Sequence, residues 1–157
     1  MIVVADTTPL NYLVLIGEIE LLPALYETVL IPLEVHRELQ HPKTPVAVRV
    51  WAGNLPHWCQ MRDLSTLPDA GLCELDAGER AAIQLALETG IDTLLIDEAD
   101  GRREALRRHL HVAGTVALLE KAAQRGFTDF HAALARLEKT SFRLSAKIRN
   151  EFIRRNQ

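Results

Sequence analysis

Four acidic residues stand out by what precedes or follows them. Asp6 closes the apolar run Ile2-Val3-Val4-Ala5, and Asp97 closes Thr93-Leu94-Leu95-Ile96, with Glu98 and Asp100 just beyond. Short, continuous apolar runs of this kind read as strands buried on both faces of a parallel sheet. In an open parallel sheet the working crevice lies at the carboxyl ends of the strands. Two carboxylates at that edge repel each other unless they share a proton or a cation. A hard divalent cation favours oxygen ligands, and Mg²⁺ is usually held by one or two carboxylates together with water. The plainer reading of each aspartate is a turn at a strand end or a helix cap.

Glu38 and Glu79 each admit two readings as well. Glu38 falls on a helix opened by Pro32, whose apolar stripe is Ile31, Val35 and Leu39. Standing three residues after Val35, it borders the buried face; the alternative is a solvated surface glutamate. Glu79 ends the tetrapeptide Asp76-Ala77-Gly78-Glu79, a D-x-x-E capping pattern that would make it part of its own helix cap. It also precedes Ala82 and Ile83 by three and four residues, which puts it on the core-facing side of the first turn.

These acids need elements to hold them. The pattern predicts strands at 2–5, 28–31, 93–96 and 111–113, with a weaker one near 57–61. Pro9 marks a helix start with Thr8 as its cap, and Gly17 ends that helix. Further helices are expected over 18–26, 32–40, 43–54, 78–88 with Gly90 as its stop, 101–110, 115–125, 129–140 and 145–156. Residues 65–75, rich in Pro, Asp and Gly, read as a loop. Strands alternating with helices imply a parallel sheet covered on both sides, an α/β fold.

The chain of 157 residues is sized for one domain with a substantial core. Its 48% hydrophobic and 25% charged residues exclude a disordered polyelectrolyte, and a net charge of −3 excludes binding nucleic acid by bulk charge alone. The charge is unevenly spread. Residues 1–41 hold Arg37 against six acids, while 143–157 hold Arg143, Lys147, Arg149, Arg154 and Arg155 against Glu151. Arg102, Arg103, Arg107 and Arg108 form a second basic cluster just after Asp97. Cys59 and Cys73 suit neither a disulfide scaffold nor a metal or redox motif. The four apolar residues before Asp6 are too few for a signal peptide, and no run approaches the ~18 residues of a membrane span. A reduced cytoplasm is the expected setting. The six histidines share no spacing and read as surface or loop residues. The apolar residues Leu10, Leu13, Val14, Ile16, Leu21, Leu22 and Leu25 exceed what one buried face requires, so part of that surface is expected to meet another protein.

The segments VVADTTPLNYL, LIPLEVHREL, LDAGERAAIQLALETG, LLIDEADGRREA and VAGTVALLEKAAQRG, in that order, resemble PIN-domain proteins, closest to the VapC-like toxin branch. The likeness implies a three-layer α/β/α sandwich with a central parallel sheet. It implies a single domain over 1–157, with 127–157 as a C-terminal helical extension. By resemblance the catalytic and metal-holding acids are Asp6, Glu38, Glu79 and Asp97, with Thr8, Glu98 and Asp100 as accessories. Glu98 stands where relatives often carry a second aspartate. The implied activity is a Mg²⁺- or Mn²⁺-dependent endoribonuclease, the toxin of a toxin–antitoxin pair, with RNA, a small antitoxin and a homodimeric partner. A cation between the acids would lower the pKa of a bound water and neutralise charge on the phosphate. An acidic pocket repels a polyanion, so arginines such as Arg102 and Arg103 would position the RNA. Two other classes compete. One is a PIN-like binding module with a degenerate pocket. The other, a phosphatase with a nucleophilic Asp6, fits worse because Thr8 stands where a second acid is wanted.

Overall fold

The computed structural model describes residues 1–67 and 69–157. Five strands, β1 (Ile2–Ala5), β2 (Thr28–Pro32), β3 (Cys59–Arg62), β4 (Thr93–Leu95) and β5 (His111–Ala113), form one sheet in the order β3-β2-β1-β4-β5. Every pairing is parallel, with Val4 of β1 level with Leu30 on one side and Leu94 on the other. The helices are α1 (Thr7–Leu15), α2 (Leu21–Leu25), α3 (Leu33–Leu39), α4 (Val46–Gly53), α5 (Ala77–Thr89), α6 (Ala99–Arg107), α7 (Thr115–Gln124), α8 (Phe130–Glu138) and α9 (Ala146–Arg155).

Successive side chains of a strand point to opposite faces, so each buried strand feeds two cores. Val3, Ala5, Val29, Ile31 and Leu95 enter the layer built with α1, α2, α4, α7 and α8. Val4, Leu30, Leu94 and Ile96 enter the layer of α5 and α6, against Ile83, Ala86 and Ala105. This is the parallel sheet covered on both sides that the alternation predicted, in the α/β/α sandwich that the resemblance implied. Gly90, left-handed at φ 73°, stops α5 where expected.

Several boundaries differ for local reasons. Asp6, extended at φ −83° and ψ 174°, is the residue before α1, so the helix starts at Thr7 and Thr8 lies inside its first turn. Pro9 still fits there because the first turn's N–H groups have no intrahelical acceptor. Pro32 likewise sits before α3 in an extended conformation instead of opening it. The helix expected over 18–26 contracts to α2, because Glu18 to Glu20 form the turn after α1. In the expected loop, Ala70–Leu72 forms a short 3₁₀ turn, and Pro68 lies outside the described residues.

Two expectations are corrected. Most of the apolar residues near the N-terminus that were expected to form surface lie inside the fold. Leu10, Leu13, Ile16, Leu21, Leu22 and Leu25 are buried and Val14 packs against the same cluster, in which α7 packs on both α1 and α2 and α8 packs on α7. His36 is not a surface residue either: half-buried on α3, its Nε2 pairs with the Ala52 carbonyl at 2.9 Å.

The C-terminal helices divide. α8 buries Phe130, Ala133, Leu134 and Leu137 in the main core, whereas α9 buries none of its residues. Phe152 stacks on Phe130 at 6.3 Å, and Arg149 and Arg155 reach Glu138 and Glu120 at 2.6 and 2.9 Å. Among the described residues no helix is long and apolar enough to cross a membrane.

Candidate active site

The strand order locates the crevice. From β1 the chain works outward through β2 to β3, then returns to β4 on the other flank of β1 and ends at β5. The carboxyl ends of β1 and β4 are therefore the switch point, the place where such sheets bind ligands. Asp6 directly follows β1 and Asp97 lies two residues past β4. The Asp6 backbone N–H donates to the Leu95 carbonyl at 2.9 Å, which ties the two strand ends together.

Asp6 is only 3% exposed, and its Oδ1 is buried without a hydrogen-bond partner among the described residues. Burial pushes its carboxyl up to about 8, and the charges of Asp76, Glu38 and Asp97 push the same way. A buried polar atom left unpaired costs free energy, so its presence at a switch point calls for an explanation.

The other acids are fixed by helix starts. The Gly78 N–H at the head of α5 donates to Glu38 Oε1 at 3.0 Å, and the Thr7 hydroxyl at the head of α1 donates to Oε2. A Cβ on residue 78 would stand 2.6 Å from both Glu38 oxygens, so glycine is what lets the carboxylate approach. At the head of α7, Thr115 donates its N–H to Asp97 Oδ1 at 2.8 Å and its hydroxyl to Oδ2 at 2.7 Å. Gly114 leaves similar room, since a Cβ there would meet Asp97 Oδ1 at 2.7 Å. Unpaired N–H groups and the helix dipole both favour a negative charge at these ends. Asp97 nevertheless titrates above the ordinary aspartate range: burial outweighs the Thr115 bonds and the nearby positive charge of Arg102.

Glu79 is 6% exposed and points inward, which settles the choice between its two readings. The cap is made by Asp76, whose Oδ1 accepts the Glu79 N–H at 2.9 Å. Burial, then the facing Asp76 carboxyl and the charges of Asp6 and Glu98, push the Glu79 carboxyl up to about 8. Asp76 is the residue that sequence reasoning missed. It is exposed, yet its charge acts on both Asp6 and Glu79. Its signal was present in the D-x-x-E pattern, where only a capping role was read.

The remaining candidates spread outward. Thr7, not Thr8, bonds a site carboxylate, and Thr8 faces an adjoining groove together with Asp97 and Glu98. Glu98 is exposed at the start of α6, and Asp100 turns to the surface to pair with Arg103 at 3.1 Å. Arg102 is the arginine whose charge reaches Asp97.

The donor set is all oxygen, which suits Mg²⁺ or Mn²⁺. Among the described residues no three acidic, histidine or cysteine side chains stand as a ready-made cage. The fit is to a hard cation held by one or two carboxylates, chiefly the unpaired Asp6 oxygen, with water completing its shell.

A stability measurement checks this electrostatic picture. The folded pKa of Asp6 and Glu79 lies above the ordinary carboxylate value, so the folded state holds extra protons between about pH 4 and pH 8. Stability from these groups is therefore fully present at the acid end and lost as pH rises through 8. The metal-free Tm is expected to fall between pH 5.5 and pH 8 by more than about 3 °C, the change that ~1 kcal/mol produces in a chain of this size. Millimolar Mn²⁺ should restore it at pH 8. A flat profile unaffected by Mn²⁺ would remove the basis for a cation site.

A family model described as a PIN domain matches residues 2–157. Among solved structures, the chain is similar to a PilT N-terminus domain protein from the hyperthermophilic archaeon Sulfolobus solfataricus P2, with a TM-score of 0.51 and 13% identity. That match covers 92% of this chain and 100% of the other, and at such identity it bears on the fold alone. No curated protein matches the chain.

Proposed function

Because the chain belongs to the PIN-domain family, whose members are typically nucleases that usually use divalent metal ions, we propose that it is a metal-dependent endoribonuclease. The observation that carries this reading is the unpaired, buried Asp6 oxygen at the switch point, surrounded by the charges of Asp76, Glu38 and Asp97. A divalent cation bound by Asp6 and Asp97 would lower the pKa of a coordinated water and offset charge developing on the phosphate.

The chain's own residues do the rest. Thr115 holds both Asp97 oxygens and so sets the orientation of that carboxylate. Thr7 and Gly78 do the same for Glu38. Glu79 and Asp6 keep their protons at neutral pH until a cation competes for them. Arg102 supplies positive charge on the side from which a phosphate would approach Asp97. The finer roles, that of a cytoplasmic homodimeric toxin neutralised by a small antitoxin, rest on the resemblance of the quoted motifs to VapC-like proteins.

The direct test is RNA cleavage by wild type and Asp97→Asn with Mg²⁺ or Mn²⁺. Asparagine keeps one oxygen for the Thr115 N–H, so the fold should survive while cleavage drops by at least about 100-fold. Equal cleavage by the variant would sink the proposal. The competing reading, a PIN-like module without catalysis, is favoured by one observation: the acids do not form a closed cage. No Mn²⁺ uptake by calorimetry, together with no cleavage, would support it.

A further inference from the structure

A groove of about 730 Å³ runs from Asp97 and Glu98 along α6 to the segment joining α8 and α9. Leu106 on one wall and Ile148 on the other are 55% and 44% exposed, so the groove carries apolar surface that nothing in the fold covers. Phe142 adds an aromatic surface, braced edge-on by Tyr12 at 5.0 Å and 85°. The Tyr12 hydroxyl also bonds Ser141 Oγ at 2.8 Å, which pins the joining segment to α1.

The cations sort by whether they are already committed. Arg103 pairs with Asp100, Arg149 with Glu138 and Arg155 with Glu120. Arg102 and Arg143 line the groove from its two sides, and among the described residues neither forms an ion pair. Two uncommitted guanidinium groups face a channel that combines apolar walls with an aromatic ring and opens onto acids that would hold a cation. A ligand that fits must alternate negative charge with flat apolar groups.

We propose that this groove holds the single-stranded RNA that flanks the scissile bond, with Arg102 and Arg143 on successive phosphates and a base against Phe142. This assignment rests on the ribonuclease reading for its orientation. The strand is single because bases in an A-form duplex are stacked and paired, and cannot reach an apolar wall. Its volume lies in the ordinary range for small-ligand pockets, enough for one or two nucleotides and too little for a helix. Arg143 belongs to a joining segment between two C-terminal helices, so that part of the chain forms substrate surface as well as packing.

The test is fluorescence anisotropy with a labelled single-stranded RNA decamer and wild-type protein without divalent metal, so that binding is read apart from cleavage. Arg143→Ala and Arg102→Ala should each weaken binding about tenfold. Each should also reduce the slope of log K against log salt by about 0.7, as one lost phosphate contact does on a single strand. Phe142→Leu should weaken binding several-fold with the salt slope unchanged, since stacking releases no counterions. Unchanged affinity and slope in Arg143→Ala would overturn the assignment. So would a polyglutamate peptide that displaces the RNA and depends equally on both arginines, because the groove would then be a docking site for an acidic protein segment. Wild-type cleavage with Mn²⁺, measured separately, decides the ribonuclease reading. Binding without cleavage would keep the groove and sink that reading, and cleavage with an unaltered KM in Arg143→Ala would do the reverse.

Discussion

Asp6→Asn is expected to abolish RNA cleavage and, in the same molecule, to raise the Tm of the metal-free protein at pH 8. The two effects share one cause. Asp6 is buried with an unpartnered oxygen among like charges, so its ionised form is costly and its pKa rises to about 8. Asparagine removes the ionisation while keeping the shape, and its amide can donate to the neighbouring carboxylates. The sign follows from linkage. A carboxyl whose folded pKa is raised contributes stability at acid pH and loses it on the way to pH 8, so the advantage of asparagine grows with pH. A gain of about 4–8 °C at pH 8, equivalent to roughly 2 kcal/mol, should shrink toward zero near pH 4. Mn²⁺ should then stabilise wild type and leave the variant largely unmoved. Thermal melts at both pH values and a cleavage assay check the whole set. A variant less stable than wild type at pH 8 would show that the carboxylate is not under strain.

Gly78→Ala is expected to separate activity from stability in another way. Alanine is the better helix residue by up to about 1 kcal/mol, and position 78 lies in the first turn of α5. The added Cβ would meet both Glu38 oxygens at 2.6 Å, but that carboxylate is the end of a flexible side chain and can swing away cheaply. Swinging away breaks the bonds from the Gly78 N–H and the Thr7 hydroxyl that aim Glu38 into the site. A misplacement of about 1 Å can cost on the order of 100-fold in rate, so cleavage should fall by that factor while Tm stays level or rises slightly. Gly114→Ala is the contrasting case. There the Cβ meets Asp97, a shorter side chain held by two Thr115 bonds, so activity and Tm should fall together.

How much of this was legible in the sequence follows from how local each signal is. Asp6 and Asp97 were readable because an acid that ends an apolar run needs no partner to be recognised. The two-faced strands were readable for the same reason. Glu79 could be placed on the inward side from its spacing to Ala82 and Ile83, yet its rivalry with a capping role was resolved only by its burial in the folded chain, with Asp76 making the cap. Thr7 was passed over for Thr8 because the choice depends on where α1 begins, and a proline signals a first turn without numbering it. The packing of α7 on α2, which helps bury Leu21 and Leu25, was beyond reach, since it joins segments about a hundred residues apart. The pairing of Arg103 with Asp100 and the freedom of Arg102 were equally hidden, because side chains one residue apart on a helix face different neighbours.

The strand order has a consequence for the history of each molecule. β1 is made first, but its neighbour β4 and the α7 turn that grips Asp97 come from the second half of the chain. A chain still leaving the ribosome can already carry Asp6, Glu38 and Glu79 and yet have no Asp97 to set beside them. Domains fold as units once their long-range partners have been made, so the site cannot be assembled piecemeal during synthesis. Asp6, Glu38 and Glu79 thus wait for β4 and the head of α7, and a ribosome that stalls between Glu79 and Asp97 releases a fragment with three of the four acids.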